Sequence, residues 1–247
     1  MAVVPKAQDA SRDGLVIRAT ALVTGGTGGL GSAVTQRLLQ AGWRVVVPWI
    51  VESELARLPS THPRLELVEA DLFDPDGAAD VVGVAAGDPD TPLTAVANLV
   101  GGFAMGRRVH ESPIDEFEHL MRLNLRPTYL TTQAALPHLM KIGRGSIVAV
   151  SAKSAFAPFP GAAGYLTAKA AVWALVQSLA AEYKDDGIRV NAILPSVIDT
   201  PGNRASQPAS SRAGWVSPAT IADVVAFLFS DEAAAVTGAQ IPVPGVG

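Results

Sequence analysis

Five glycines fall within the eight residues Thr24–Gly31, TGGTGGLG, set between an apolar run, Ala19–Thr24, and a helical pattern from about Leu30 to Gln40. Few features restrict a fold more. A strand that turns through bare backbone into a helix leaves the helix's first N–H groups facing the turn, where they attract an anion. Gly26–Gly31 satisfies GxGxxG, and Thr24–Gly31 satisfies TGxxxGxG. Glycine is needed there because a side chain would hold the backbone away from a pyrophosphate. The expectation is a dinucleotide-binding βαβ unit. A P-loop is excluded, since Ser32 occupies the position its lysine would need.

The rest of the chain alternates in the same way. After Gly42, which closes the first helix, Arg44–Val51 (RVVVPWIV) reads as a strand that stops at Pro48. A short helix, Glu52–Leu58, and strand Leu65–Glu69 follow, then a helix over Asp74–Ala86 and a strand over Leu93–Leu99. A long helix runs from Pro113 to about Lys141, strand Ser146–Val150 leads to helix Gly161–Tyr183, and Ile188–Leu194 is a sixth strand. Ser217-Pro218 caps and starts a last helix to about Ser230, and Ala239–Val243 closes the chain as a seventh strand. Most of these strands are solid apolar runs, as parallel strands covered on both faces are. The fold class is therefore α/β, a Rossmann-type doubly wound parallel sheet of about seven strands with helices on both faces.

Length and composition narrow the function. At 247 residues with no internal repeat or linker, residues 18–247 read as a single dinucleotide-binding catalytic domain with a substrate loop at 196–216. Residues 1–17 read as an N-terminal extension. The net charge of −4 and the lack of a basic run give no reason to expect nucleic acid. No apolar run approaches the ~18 residues of a membrane span, and the first residues show no secretory pattern, so a cytoplasmic location is expected. Without cysteine, thiolate catalysis and Cys-based zinc sites are excluded. His62, His110, His119 and His138 are scattered and show no metal-ligand spacing.

Chemistry concentrates in SAKSAFAPFPGAAGYLTAK, residues 151–169. Tyr165 and Lys169 lie one helical turn apart, so phenol and ammonium share a face and can act on one atom. A phenol near ~10 exchanges protons poorly at neutral pH, and a fixed cation beside it lowers that value. The dinucleotide's ribose is harder to place. A carboxylate at the end of the second strand would take the 2′-hydroxyl of NAD(H), and an arginine would take the 2′-phosphate of NADP(H). The strand end is Pro48-Trp49-Ile50, with Trp49 free to edge the adenine, while Glu52 reads as the first turn of the next helix. With no carboxylate to repel a 2′-phosphate, NADP(H) is favoured over NAD(H). Asp71, ending the third strand, is placed for the adenine amino group.

TGxxxGxG, Asn98 ending the fourth strand, Asn124 in the long helix, Tyr165-x-x-x-Lys169 and Pro195…Thr200 come in the order and spacing of the short-chain dehydrogenase/reductase family, which the chain resembles from about residue 18 to its end. The resemblance implies an NAD(P)(H)-dependent oxidoreductase moving hydride to or from a carbonyl carbon. Tyr165 would exchange the proton with the substrate oxygen. Lys169 would lower the Tyr165 pKa and bond the nicotinamide ribose, and Asn124 would hold a water linking Lys169 to solvent. Thr24, Gly25, Thr27, Gly29, Leu30 and Gly31 would surround the pyrophosphate, with Asn98 fixing the backbone beside it. Trp49, Asp71, Leu72, Val100 and Gly101 would line the adenosine side, and Pro195, Ile198 and Thr200 the nicotinamide side. The resemblance also implies a homodimer or homotetramer through the helices at 113–141 and 161–183.

One position departs from the family pattern. The family's catalytic Ser lies thirteen residues before the Tyr, and here that residue is Ala152. Ser151 would face the opposite side of an extended strand, and Ser154 in the next loop is the candidate replacement. Losing one oxyanion donor costs on the order of 10²–10³ in rate. Ala152-Lys153, Gly101-Gly102-Phe103, and Asp199-Thr200-Pro201-x-Asn203-Arg204 with Trp215-x-x-Pro218 are similar to dihydropteridine reductase-like members of the family, which reduce a quinonoid ring and do not need that Ser. A catalytically impaired dinucleotide sensor or scaffold is the third reading. Met105, Phe156, Phe159 and Trp215 are expected to wall the substrate cleft.

Overall fold

The computed structural model describes residues 17–206 and 212–245; apart from Ile17 the expected extension, and residues 207–211 of the expected substrate loop, lie outside them. Seven strands form one parallel sheet: β1 (Thr20–Thr24), β2 (Arg44–Trp49), β3 (Leu65–Glu69), β4 (Leu93–Asn98), β5 (Gly145–Val150), β6 (Ile188–Pro195) and β7 (Gln240–Val243), in the order 3-2-1-4-5-6-7. The helices are α1 (Gly31–Gln40), α2 (Pro75–Ala86), α3 (Ile114–Ile142), α4 (Ala163–Tyr183), α5 (Pro201–Ser206) and α6 (Pro218–Phe229). This is the expected doubly wound Rossmann-type fold.

Why the strands are largely apolar is visible in β1. Leu22 packs with α2, α3 and α4 residues such as Val81, Leu136 and Val176, whereas its neighbours Ala21 and Val23 pack with Val34 and Leu38 of α1 and Val225 and Leu228 of α6. Successive side chains point to opposite faces and helices cover both, so the middle of β1 is apolar, while the buried Thr20 and Thr24 hydroxyls at its ends donate to main-chain carbonyls. The two edge strands are less covered: β3 exposes Glu66 and Leu67, and β7 exposes Gln240 and Pro242.

Local signals set the helix ends. Asp74 accepts from the Asp76 N–H ahead of Pro75, and Ser217 accepts from the Thr220 N–H ahead of Pro218. Helix α3 stops at Gly143, whose φ of 72° is a left-handed conformation costly for other residues.

Two expectations change. Strand β2 does not stop at Pro48 but runs through it to Trp49, with Pro48 opposite Val68 of β3. The Val45 N–H points toward β3, donating to the Arg64 carbonyl, so Pro48 faces β1. Its missing N–H therefore falls beyond the last β1–β2 pair, Leu22 with Val46, and no ladder bond is lost. The loop after β6, expected to be irregular, contains the short helix α5.

Candidate active site

Between β1 and β4 the strand order reverses direction, and there the carboxyl ends of the strands open a crevice, the usual ligand position in such sheets. The glycine loop sits on one side of it. A Cβ on Gly31 would lie 2.0 Å from the Gly25 carbonyl oxygen, and one on Gly26 would lie 2.7 Å from Val47 Cγ1, so the loop lies flat against β2. Gly25, with φ 65°, passes so close to β4's exit that a Cβ would be 3.1 Å from the Val100 nitrogen. Helix α1 begins at Gly31 with no side-chain cap and no acidic residue in its first turn. Bare glycines leading to an uncapped, uncharged helix start fit a pyrophosphate.

The opposite wall comes from the β6 exit. Pro195 is buried at the strand end, Ile198 bridges to Val216, and Thr200 starts α5. A Cβ on Gly29 would meet Thr200 Cγ2 at 2.8 Å, so this loop rests directly on the glycine loop. Two other wall residues serve the fold. The Thr24 hydroxyl donates to the Ala97 carbonyl at 3.3 Å and accepts from the Leu99 N–H at 3.2 Å, which ties β1 to β4. Thr24 thus clamps the two strands beside the glycine loop. Asn98 is buried, donating to Thr132 Oγ1 on α3 at 3.0 Å, and its Oδ1 has no partner.

Tyr165 and Lys169 occupy the first turns of α4, facing the crevice below β5. The Lys169 ammonium is buried, donates to the Val150 carbonyl at 3.0 Å, and lies 6.0 Å from the Tyr165 ring centre. A Cβ on Gly101 would lie 2.7 Å from Asn124 Oδ1 and 3.0 Å from Lys169 Nζ, so that glycine lets β4's exit approach both. The Asn124 side chain is buried and already engaged: Nδ2 donates to the Gly102 and Leu120 carbonyls, and Oδ1 accepts from the Gly102 N–H. It positions the loop that carries Phe103.

Electrostatics reverse one expectation. Burial pushes the Lys169 ammonium down to about 8 and the Tyr165 phenol up to about 12. The cation was expected to lower the phenol; desolvation of the phenol outweighs it here. Burial thus holds the Tyr165 phenol in its neutral form.

The two serines part company. Ser151 is buried and its hydroxyl donates to the Lys169 main-chain carbonyl at 2.8 Å. It fastens α4 to the β5 exit, its hydroxyl engaged in that bond. Ser154 stands half-buried in the 3₁₀ turn Lys153–Ala155 beyond buried Ala152.

Aromatic side chains surround the phenol. Phe103 meets Tyr165 edge to face, with ring centres 4.9 Å apart at 86°, and Phe159 lies 6.4 Å from Phe103. Phe156 instead approaches Trp173. Beyond Gly164 a cavity of about 630 Å³ continues between the loop after β4 and the start of α3, lined by Met105, Val109, Ile114, Phe117 and Leu120. Its rim carries Arg107, which faces Glu116 at 3.7 Å.

On the adenosine side, Trp49 is half-buried at the β2 end, and Leu72 is buried. Asp71 Oδ1 accepts from the Phe73 N–H at 2.8 Å, forming a turn. Sequence reasoning missed two residues here. Glu54 Oε2 accepts from the Thr27 hydroxyl at 2.8 Å, Glu54 Oε1 pairs with Arg57 at 2.9 Å, and Arg57 donates to the Thr27 carbonyl at 3.0 Å. Only their i,i+3 spacing in the short 3₁₀ segment Glu52–Arg57 hinted at a pair.

Among the described residues no helix is long and apolar enough to cross a membrane, and no three His, Asp or Glu side chains gather as metal ligands. Comparison with known proteins agrees with this architecture. The chain is 31% identical to 2-(R)-hydroxypropyl-CoM dehydrogenase of Xanthobacter autotrophicus, over 91% of this chain and 96% of that protein. It is 30% identical to glucose 1-dehydrogenase 2 of Bacillus subtilis, over 92% and 93%. The solved structure of ElxO with NADP bound superposes with a TM-score of 0.84 at 21% identity, covering 91% of this chain and 96% of that one. The family model for short chain dehydrogenase matches residues 19–211, and the chain belongs to the short-chain dehydrogenase family.

Proposed function

We propose that the protein is a nicotinamide-dependent oxidoreductase that interconverts a carbonyl compound and its alcohol, with Tyr165 as the proton partner. The observation that carries the reading is half-buried Tyr165 paired with buried Lys169 on α4, set across the crevice from an uncapped glycine loop. A nicotinamide dinucleotide, when bound, supplies or accepts the hydride. Gly25, Gly29 and the first N–H groups of α1 hold its pyrophosphate, and Thr200 and Ile198 close over the other end. The Tyr165 phenol, held neutral by burial, donates to the carbonyl oxygen as charge develops there. Lys169, fixed by the Val150 carbonyl, places positive charge beside that phenol and steadies it once the proton has left. Phe103 and Phe159 give the substrate an aromatic wall beside the phenol. The relatives' names, dehydrogenases of a glucose and of a hydroxypropyl compound, support an alcohol–carbonyl couple.

The test is Tyr165→Phe. It removes only the phenolic oxygen and should abolish turnover of ketones or aldehydes with NADH or NADPH, while dinucleotide binding, followed by tryptophan fluorescence, stays within about threefold. Unchanged turnover in that variant would overturn the assignment.

A second reading, reduction of a conjugated or quinonoid ring, is favoured by two observations. Phe103 offers an exposed aromatic surface against Tyr165, and Ala152 leaves the β5 exit without the hydroxyl a plain ketone would use. A quinonoid pterin turned over faster than any simple ketone would select it. Exposed Phe117, Tyr129, Met140 and Ile142 on α3 support assembly into a dimer or tetramer through the α3 and α4 surfaces.

A further inference from the structure

We propose that Glu54 selects the dinucleotide, and that it selects NAD(H) over NADP(H). The inference rests on the dinucleotide reading of the glycine loop and deepens it. A dinucleotide whose pyrophosphate lies on the α1 N-terminus must carry its adenosine ribose from that loop toward the carboxyl ends of β2 and β3. The loop is seated on β2 through Gly26 and Val47, so the ribose crosses at Thr27. What it meets there is a carboxylate. The buried Thr27 hydroxyl donates to Glu54 at 2.8 Å and orients the carboxylate along the loop. The strand end itself offers only Trp49, so the acid that usually stands there has moved five residues on, into the 3₁₀ segment Glu52–Arg57.

Arg57 does not reverse the sign. Its guanidinium is divided between Glu54 Oε1 at 2.9 Å and the Thr27 carbonyl at 3.0 Å, and the Arg57 carbonyl is tied to Gln36 of α1 at 3.4 Å. Both contacts are made by Nη1, so the guanidinium is braced against the Oε1 side of Glu54, and a 2′-phosphate could reach its remaining donors only beside that carboxylate. Glu54 Oε2, holding one hydrogen bond, keeps a lone pair for a ribose hydroxyl. A 2′-hydroxyl is therefore accepted and a 2′-phosphate repelled. The absence of a carboxylate at the β2 end, which favoured NADP(H), is made good from the neighbouring segment.

The experiment is titration of the full chain with NADH and NADPH separately, read by tryptophan quenching, for wild type, Glu54→Gln and Glu54→Asp. Wild type should bind NADH at least about tenfold more tightly than NADPH, as expected for a partly screened charge repulsion. Glu54→Gln keeps an acceptor for Thr27 and removes the charge; it should tighten NADPH at least about fivefold and leave NADH within about threefold. Glu54→Asp should keep the wild-type preference, and circular dichroism confirms folding of both variants. Wild type preferring NADPH, or a preference indifferent to Glu54→Gln, overturns this inference alone. A chain that binds neither dinucleotide overturns the dinucleotide reading and this inference with it.

Discussion

Burying an ammonium against a strand end should make stability depend on pH in a way one substitution removes. Lys169 is fully enclosed, with one donor bond to the Val150 carbonyl, and its pKa falls from 10.5 to about 8. Its folded pKa lies below its unfolded value, so between them the unfolded chain binds a proton the native chain lacks. Stability must then rise with pH across that window. Charging the group in the native state costs about 3 kcal/mol at the acid end, from a shift of roughly 2.5 units at about 1.36 kcal/mol each. Integrated between about pH 7 and pH 9.5, the gain is about 2 kcal/mol. Lys169→Met keeps the volume and removes the titration. Urea unfolding of both proteins, followed by tryptophan fluorescence at several pH values, gives the difference in stability. The variant's advantage over wild type should shrink by about 2 kcal/mol from about pH 7 to pH 9.5, whatever the cost of the lost Val150 bond, which is pH-independent. Staying below pH 10 keeps Tyr165 out of the window, since its raised pKa lowers stability only as pH climbs from 10 toward 12. A difference that does not change with pH would refute the claim that Lys169 is strained by burial.

Two further outcomes are expected. Ala152→Ser restores a hydroxyl at the β5 exit and should raise kcat/KM on simple ketones by up to about 10²-fold; no change would mean that Ser154 or a water already serves. Light scattering of the purified chain should give the mass of a dimer or tetramer, and a monomeric mass would remove the role assigned to the exposed apolar residues of α3.

Sequence reasoning succeeded where local and tertiary demands coincide. Leu22 and its neighbours must be apolar because each faces a covered side of the sheet, so the strands were visible as runs. The glycine loop was visible because Gly31 tolerates no Cβ at any price in side-chain rearrangement: its nearest neighbour is backbone. Tyr165 and Lys169 share a helix, and helical spacing alone placed them together. Pro48 misled because its cost depends on which way a missing N–H points, and that is set by a neighbouring strand whose pairing ends at Val46.

The same limit explains the serines and the ribose. Ser151 and Thr24 carry hydroxyls near the chemistry, yet each satisfies a main-chain carbonyl across a strand or helix boundary, and only the packing of α4 on β5 or β4 on β1 creates that demand. Glu54 shows the converse. It lies beyond the strand end, in a 3₁₀ segment with no buried residue and hence no hydrophobic pattern to fix its orientation. What aims its carboxylate is Thr27, twenty-seven residues earlier, held in turn by Arg57 through its carbonyl. A residue whose role is set by one long-range hydrogen bond leaves no trace in spacing. A search of the strand end for an acidic residue could therefore find only Trp49, and would miss a carboxylate that the tertiary fold alone brings to the glycine loop.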